Sequence, residues 1–216
     1  MIVIKDVAKN IKKDMLTIAL PKGRIAQETL DKFEKAFGEK FIFEDRKLIL
    51  EKAGFRFLNV RNQDVPTYVM HGAADLGVVG LDVLEEKEYD LIKLLDLELG
   101  KCRVAFGLRK GEELDFNKSK ITIATKHEVI AKKFFEQKAM AVDIIKLYGS
   151  IELAPLVGLC DCIVDIVETG ETMKQNGLEI GPTIMESSAH LIANKNSFYA
   201  KKDLILDLKE RIEAHL

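Results

Sequence analysis

The chain has 216 residues, of which 47% are hydrophobic and 31% are charged, a composition typical of a globular protein that excludes extensive disorder. The formal net charge of −2 gives no reason to expect nucleic acid as the main partner. The sequence contains no apolar run of about 18 residues, and residues 1–13 lack the apolar core of a signal peptide. We therefore expect a cytoplasmic protein without a membrane anchor, built as one large or two small domains.

The first half of the chain predicts strands that alternate with helices. Residues 2–13 come first, and their weak apolar stripe fits either a short amphipathic helix or a frayed extension. The elements that follow are a strand at 16–20, a helix ending near Gly38 with Leu30, Phe33 and Phe37 inward, strands within 41–60, a short helix at 67–72, a strand at 75–82, a helix at 83–88 and a strand-like stretch at 91–108.

The second half repeats the alternation. Its predicted elements are a strand at 121–125, a helix at 129–138, a strand at 142–148, a helix at 151–159, a strand at 163–167, a returning strand at 184–193 and a terminal helix at 204–215 with Leu204, Leu208 and Ile212 inward. Repeated strand–helix–strand units predict the α/β class, with parallel sheets covered by helices. Crossings near 97–108 and 181–187 predict a discontinuous first domain, residues 1–100 plus 185–216, and a second domain, residues 101–184. Ligands of such folds collect at the carboxyl ends of strands, here in a cleft between the lobes.

Residues 162–172, which read Cys-Ile-Val-Asp-Ile-Val-Glu-Thr-Gly-Glu-Thr, predict a buried strand that opens into a tight loop before a helix. Backbone N–H groups converge in such a loop, and Gly170 lets the backbone approach a ligand closely. Asp165 and Glu168 would repel a phosphate unless they face another group, such as a ribose diol. The segment therefore predicts a ribose-phosphate site, and a plain surface turn is the alternative.

Polar loops follow several other predicted strands, and their side chains suit nucleotide ligands. These residues are Lys22, Gly23, Arg24, Arg61, Asp64, Asp82, Lys126 and Glu152. A lysine and an arginine that flank a glycine suit a polyphosphate. Without a ligand, the same residues fit a basic loop at a helix start, a surface ion pair between Arg61 and Asp64, and acidic helix N-termini. Ser150 is expected to cap the helix that follows it, with Glu152 in the first turn.

The histidines and cysteines give no sign of a metal centre or of covalent catalysis. None of the four histidines has metal-ligand spacing. Cys160-x-Cys162 lacks a second ligand pair, so both cysteines are expected to pack in the core. Because no Ser-His-Asp or Cys-His pair stands out, the cations, hydroxyls and carboxylates favour group transfer between two bound substrates.

An ordered series of motifs resembles the ATP phosphoribosyltransferases over residues 16–194. The motifs are Leu20-Pro21-Lys22-Gly23-Arg24, Asp64-Val65-Pro66-Thr67-Tyr68-Val69, Gly72-x-x-Asp75-Leu76-Gly77, Gly80-x-Asp82, Ile123-Ala124-Thr125-Lys126, Gly149-Ser150-Ile151-Glu152-Leu153-Ala154-Pro155-Leu156 and Asp165-Ile166-Val167-Glu168-Thr169-Gly170-Glu171-Thr172. The resemblance implies a two-lobed, periplasmic-binding-protein-like (type II) fold. It also implies the first step of histidine biosynthesis, in which ATP and phosphoribosyl pyrophosphate give phosphoribosyl-ATP and pyrophosphate.

The resemblance further implies roles for individual residues. Lys22 and Arg24 would be the catalytic cations, and Mg²⁺ would arrive with the substrates rather than in a protein metal site. The loop residues Thr169, Gly170, Glu171 and Thr172 would hold the 5′-phosphate of phosphoribosyl pyrophosphate, with Asp165 and Glu168 facing the ribose.

The resemblance also bears on partners. The length fits the short form of the family and implies a regulatory subunit similar to histidyl-tRNA synthetase, in an assembly that we expect to be a dimer or a hetero-octamer. The alternative is a cytosolic small-molecule-binding or sensor domain of the same fold, because fold alone does not decide function.

Overall fold

The computed structural model describes residues 15–115 and 117–216, so residues 2–13, for which we expected either a short amphipathic helix or a frayed extension, lie outside the described residues. The strands of this part are β1 (Leu16–Pro21), β2 (Ile49–Lys52), β3 (Phe55–Val60), β4 (Leu76–Gly80), β5 (Ile92–Arg109), β6 (Ile121–Thr125), β7 (Val142–Lys146), β8 (Cys162–Val167) and β9 (Leu178–Ala193).

The helices are α1 (Arg24–Phe37), α2 (Val65–Met70), α3 (Leu81–Lys87), α4 (Glu128–Gln137), α5 (Leu153–Leu156), α6 (Glu171–Gln175), α7 (Lys195–Ala200) and α8 (Lys202–Glu213), and a 3₁₀ turn covers Asn62–Asp64. Within the described residues, none of these helices has the length and apolar character needed to cross a membrane.

The chain divides into two compact units. Unit 1 comprises the described residues up to Leu84, together with Glu88–Gly100 and Ser188–Leu216. Unit 2 comprises Glu85–Lys87 and Lys101–Ser187. The chain passes from one unit into the other within the two long strands, β5 and β9.

Unit 1 contains strands in the order β2-β3-β1-β4-β9. β1 runs parallel to β3 and β4, whereas β2 and β9 are antiparallel to their neighbours. Aromatic rings fill the core beneath α1, and the centroids of Phe33 and Phe57 lie 5.1 Å apart in an edge-to-face contact. α1 ends at Gly38, whose left-handed backbone lets its N–H bond to the Glu34 carbonyl, as the apolar pattern and the glycine predicted.

The terminal helix α8 corrects one prediction about side-chain orientation. Ile205, Leu208 and Ile212 are buried, whereas Leu204, which we predicted to face inward, is 41% exposed. Ile205, Leu208 and Ile212 lie three and four residues apart and so share one face, while Leu204 lies about 100° from Ile205 around the helix. The prediction selected Leu204 instead of Ile205 because both residues are apolar.

Unit 2 contains strands in the order β5-β8-β6-β7. β6 runs parallel to β7 and β8, and β5 is antiparallel to β8. Each face of this sheet has its own apolar cluster, one packed against Ile130 and Phe135 of α4 and the other against Met173 of α6. The α/β class is thus confirmed, but the sheets are mixed rather than parallel.

Three predicted elements have different limits in the structure. The helix predicted at 151–159 is only the short α5, because the backbone is left-handed on both sides of it, at Ser150 (φ 49°) and at Gly158 (φ 74°). Ser150 therefore does not cap that helix; Glu152 occupies the N-cap position without a side-chain bond. Residues 41–48 form no strand, and β9 begins at Leu178, six residues before the strand predicted at 184–193, so it includes Gly181 and Pro182.

Candidate active site

The loop after β8 has the backbone form that the sequence predicts. Glu168, Thr169 and Gly170 link β8 to α6, and the φ of Gly170 is +82°. The Glu171 N–H donates to the Thr169 hydroxyl at 3.3 Å. The left-handed backbone angle favours glycine, and a Cβ atom at this position would lie 2.2 Å from Cδ1 of Ile180, so a larger residue would displace the end of that side chain.

A pocket of about 620 Å³ opens beside this loop. Its lining combines the loop with two lysines, two glutamates and the start of β9: Lys110, Thr169, Gly170, Glu171, Lys174, Gly177, Leu178, Glu179 and Ile180. This volume falls within the range of about 300–1,000 Å³ that small-molecule sites occupy. The pocket can therefore take a sugar phosphate, with the Thr169 hydroxyl and two lysine cations along its wall.

Asp165 and Lys126, both predicted from the sequence, meet in the structure. Lys126 Nζ lies 3.0 Å from Asp165 Oδ1, and Nε2 of the buried His127 lies 3.9 Å from the same oxygen. The Asp165 side chain is only 14% exposed, so its charge is balanced mainly by these neighbours. The pair gives unit 2 a carboxylate and a cation at the carboxyl ends of β8 and β6.

Thr125 fixes the backbone on which Lys126 is mounted. Its hydroxyl donates to the Val164 carbonyl at 2.6 Å and accepts the His127 N–H at 2.8 Å. These bonds join the carboxyl ends of two neighbouring strands through a fully buried side chain. Within the Ala-Thr-Lys motif, Thr125 therefore holds the backbone in place and Lys126 supplies the positive charge.

Glu86 is a structural residue that the sequence did not reveal. Its carboxylate accepts the N–H groups of Val129 and Ile130, at 3.1 Å each, in the first turn of α4. A helix start needs an acceptor for these groups, but the acceptor is more than forty residues away in sequence. No local signal could have identified it.

The predicted cations of unit 1 are exposed. The link from β1 to α1 consists of Lys22 and Gly23, and Arg24 is the first residue of α1. The Lys22 N–H donates to the Val60 carbonyl at 2.8 Å. Arg24 Nε lies 3.6 Å from the Glu28 carboxylate, and both side chains are exposed. An exposed ion pair contributes little free energy, so a ligand could replace this contact at little cost. This exposed loop therefore carries positive charge at the surface of unit 1.

The remaining predicted residues lie in both units. Arg61 and Asp64 are exposed in unit 1, and within the described part of the chain no ion pair joins them. Asp82 is 5% exposed in the first turn of α3, also in unit 1, and Glu152 is half-buried in unit 2. Unit 2 therefore contains the loop after β8, Asp165 and Lys126. Unit 1 contains the Lys22 loop, Arg61, Asp64 and Asp82.

The cysteines are packing residues, as predicted. Cys160 and Cys162 are buried, and no disulfide involves them. Burial raises the pKa of the Cys160 thiol, and it raises the pKa of Cys162 to about 12. Neither thiol is therefore an activated nucleophile.

Comparison with known proteins identifies the family. The protein-family model described as HisG: ATP phosphoribosyltransferase matches residues 61–214. The ATP phosphoribosyltransferase of Wolinella succinogenes is 68% identical over 197 residues, which are 91% of this chain and 96% of that protein. The ATP phosphoribosyltransferase of a Sulfurovum species is 66% identical over 200 residues, which are 93% of this chain and 97% of that protein.

Solved structures agree on the fold. The ATP phosphoribosyl transferase (HisG:HisZ) complex from Thermotoga maritima matches with a TM-score of 0.79 at 36% identity, covering 93% of this chain and 98% of that chain. The substrate-binding protein of an amino acid ABC transporter matches with a TM-score of 0.58 at 14% identity, covering 92% of each chain, which shows the fold alone. The periplasmic-binding-protein-like fold is confirmed, and the sensor alternative is not favoured. Since the family model spans most of the sequence and the relatives share about two thirds of its residues, this chain belongs to the ATP phosphoribosyltransferase family, the transferases that join ATP to phosphoribosyl pyrophosphate in histidine biosynthesis.

Proposed function

We propose that residues 169–172 hold the 5′-phosphate of phosphoribosyl pyrophosphate. The observation that carries this proposal is the pocket of about 620 Å³ with this loop as one wall. Gly170, in its left-handed conformation, turns the chain so that backbone N–H groups and the hydroxyls of Thr169 and Thr172 are available to a ligand. Glu171 belongs to the same wall through its backbone.

Asp165 and Glu168 are proposed to face the ribose. A carboxylate accepts hydrogen bonds from two vicinal hydroxyls, and Asp165 already lies 3.0 Å from Lys126. Lys126 forms an ion pair with Asp165, and it adds a cation for the phosphates of the substrate. Glu152, half-buried beside α5, is a further proposed contact in the same unit.

The unit 1 residues are proposed to act on ATP and on the leaving pyrophosphate. N1 of adenine attacks the anomeric carbon; the new N–C bond forms as the C–O bond to pyrophosphate breaks. As the C–O bond breaks, negative charge develops on the leaving pyrophosphate and positive charge on an oxocarbenium-like ribose, so cations placed at the pyrophosphate stabilise the transition state. We assign that role to Lys22 and Arg24 on either side of Gly23, and ATP contacts to Arg61, Asp64 and Asp82.

This assignment places ATP on the first lobe, residues 1–100 and 185–216, and phosphoribosyl pyrophosphate on the second, residues 101–184. It matches the distribution of the candidate residues between the two units. We infer a cytoplasmic enzyme, as the histidine-biosynthesis activity suggests.

Mg²⁺ is proposed to arrive with the substrate phosphates. Within residues 15–115 and 117–216, no three His, Cys, Asp or Glu side chains are grouped as a metal site. Mg²⁺ keeps several waters and prefers phosphate oxygens supplemented by one or two carboxylates. Asp165 and Glu168 fit that supplementary role. The bound ion would neutralise charge on the pyrophosphate as it leaves.

A regulatory partner is also proposed. The Thermotoga maritima relative, 36% identical over nearly the whole chain, was solved as a HisG:HisZ complex. By this relationship we infer a regulatory subunit similar to histidyl-tRNA synthetase and a hetero-oligomer, a hetero-octamer or an assembly built on dimers.

The test of the site assignment is a pair of variants, Lys22→Ala and Thr169→Val, assayed for phosphoribosyl-ATP formation by ultraviolet absorbance with saturating partner subunit. Loss of one charged phosphate contact should weaken binding or turnover by about ten- to a hundredfold. Lys35→Ala and Thr183→Val, at exposed positions elsewhere, are the matched controls and should behave as wild type. Near-wild-type kinetics in both test variants would refute the assignment.

A further inference from the structure

Arg103 presents a buried hydrogen-bond donor without an acceptor. It lies in β5, in the stretch that belongs to unit 2, and its side chain is partly buried. Its Nε atom is fully buried, and none of the described residues accepts the hydrogen. Native proteins leave few such donors unsatisfied, because a buried donor without a partner destabilises the fold. Arg103 therefore requires an acceptor that the described chain does not provide.

The strand register places Arg103 at the base of the phosphate loop. In the antiparallel pairing of β5 with β8, Arg103 is opposite Val167 and Ala105 is opposite Asp165. Residues directly opposite each other project from the same face of a sheet, and so do residues two apart along a strand. Arg103, Asp165 and Val167 therefore share a face. Val167 is the last residue of β8, directly before the loop.

Asp165, the carboxylate on this face, is already engaged. Its Oδ1 lies 3.0 Å from Lys126 Nζ and 3.9 Å from His127 Nε2, and it also accepts the Ile166 N–H at 2.8 Å. Arg103 adds a second cation to a face on which Lys126 already pairs with the Asp165 carboxylate. A ligand anion is the acceptor that this arrangement lacks, and the planar guanidinium group suits two phosphoryl oxygens.

We propose that Arg103 binds a phosphoryl oxygen of phosphoribosyl pyrophosphate and completes the site formed by residues 169–172. This inference rests on the proposed role of that loop. The 5′-phosphate and the pyrophosphate group offer the same chemistry, and both belong to the one substrate. The arginine would hold the substrate from the β-sheet side, while the loop holds it by hydroxyl and backbone N–H groups.

The experiment measures binding of three probes by calorimetry: phosphoribosyl pyrophosphate, ribose 5-phosphate and pyrophosphate, each with Mg²⁺. Arg103→Met should weaken phosphoribosyl pyrophosphate binding about ten- to a hundredfold, and Arg103→Lys should lose less because it keeps the charge. Weakened ribose 5-phosphate binding assigns Arg103 to the 5′-phosphate; weakened pyrophosphate binding assigns it to the leaving group. The KM for ATP should change by no more than about twofold, because the lost contact is to the other substrate.

Arg109→Met is the matched control. Arg109 lies six residues further along the same strand, where it bonds to Glu112 and to the Pro155 carbonyl, so its loss should leave phosphoribosyl pyrophosphate binding unchanged. Wild-type binding of all three probes by Arg103→Met would overturn the inference, as would equal loss of ATP and phosphoribosyl pyrophosphate affinity in both Arg103 variants.

Thr169→Val separates the two proposals. If it loses phosphoribosyl pyrophosphate affinity while Arg103→Met does not, the loop assignment stands and the Arg103 inference fails. If neither variant loses affinity, both fail. If only Arg103→Met loses affinity, Arg103 binds the anion and the loop assignment fails.

Discussion

Gly170→Ala should weaken phosphoribosyl pyrophosphate binding and also destabilise the fold. The backbone at Gly170 has φ +82°, and an added Cβ would lie 2.2 Å from Ile180 Cδ1 and 3.3 Å from Ile180 Cγ1. Two effects therefore combine, a conformational cost of the left-handed backbone and a steric conflict with the start of β9. The steric conflict can be removed by a second substitution, and the backbone cost can be matched by a control variant at another left-handed glycine.

The conformational cost for a residue with a Cβ atom in the left-handed region is about 1–2 kcal/mol. For a chain of this size that corresponds to a fall in melting temperature of roughly 2–8 °C. The steric conflict adds little to stability, because the end of the Ile180 side chain is flexible and this residue is 37% exposed. If the loop moves rather than the Ile180 side chain, its N–H groups move away from the phosphate. The loss should be about 1.5–3 kcal/mol of binding free energy, or about ten- to a hundredfold in affinity.

The measurement compares melting temperature and phosphoribosyl pyrophosphate affinity in three variants. Gly158→Ala is the matched control, because Gly158 has φ +74° and open space around it. The double variant Gly170→Ala with Ile180→Val removes the 2.2 Å contact and should recover part of the affinity. If Gly170→Ala melts like Gly158→Ala and binds phosphoribosyl pyrophosphate as tightly as wild type, the loop does not hold the substrate as we argue.

Three further predictions concern stability and reactivity. Asp75→Ala leaves a largely buried Lys201 cation without its 2.7 Å partner and should lower the free energy of unfolding by about 3–5 kcal/mol in a denaturant titration; a loss below about 1 kcal/mol would contradict this. Glu86→Ala should cost about 1 kcal/mol by the same measurement, with Glu86→Gln retaining part of the cap, because Glu86 accepts two N–H groups at the start of α4. Cys162, whose pKa burial raises to about 12, should react with a thiol reagent at neutral pH only after unfolding, and fast labelling of the native protein would show that the thiol is accessible.

The best sequence predictions concerned strands that are mostly apolar and buried. Residues 121–125 were predicted as a strand and form β6 with the same limits. Residues 163–167 were predicted as a strand and lie within β8, followed by the expected loop and helix. A strand in the middle of a sheet is buried on both faces, so its sequence is a continuous apolar run that ends where the backbone meets solvent. Its end and the loop after it are therefore visible in the sequence.

Features that depend on distant residues could not be predicted. The left-handed backbone at Ser150 shortened a helix whose sequence looks helical, because a non-glycine residue in that region is held there by its surroundings. Arg103 was not identified from the sequence, because only the strand pairing places it opposite Val167. Lys110 and Lys174 were missed because only the fold brings them to one pocket.

Residues that identify a family need not touch its substrates, and Asp75 illustrates the difference. It belongs to the Gly-x-x-Asp-Leu-Gly motif that supports the family resemblance, yet its Oδ2 accepts the Thr17 N–H at 2.9 Å and the Lys201 ammonium at 2.7 Å. Its carbonyl also accepts the Asn194 N–H, so it joins β1, β4 and the segment after β9. Asp165 has the same chemistry and a similarly buried carboxylate, but it lies in β8, three residues before the loop that begins at Glu168. Substitution should therefore separate the two roles, with Asp75→Ala lowering stability at unchanged substrate affinity and Gly170→Ala lowering affinity with a small loss of stability.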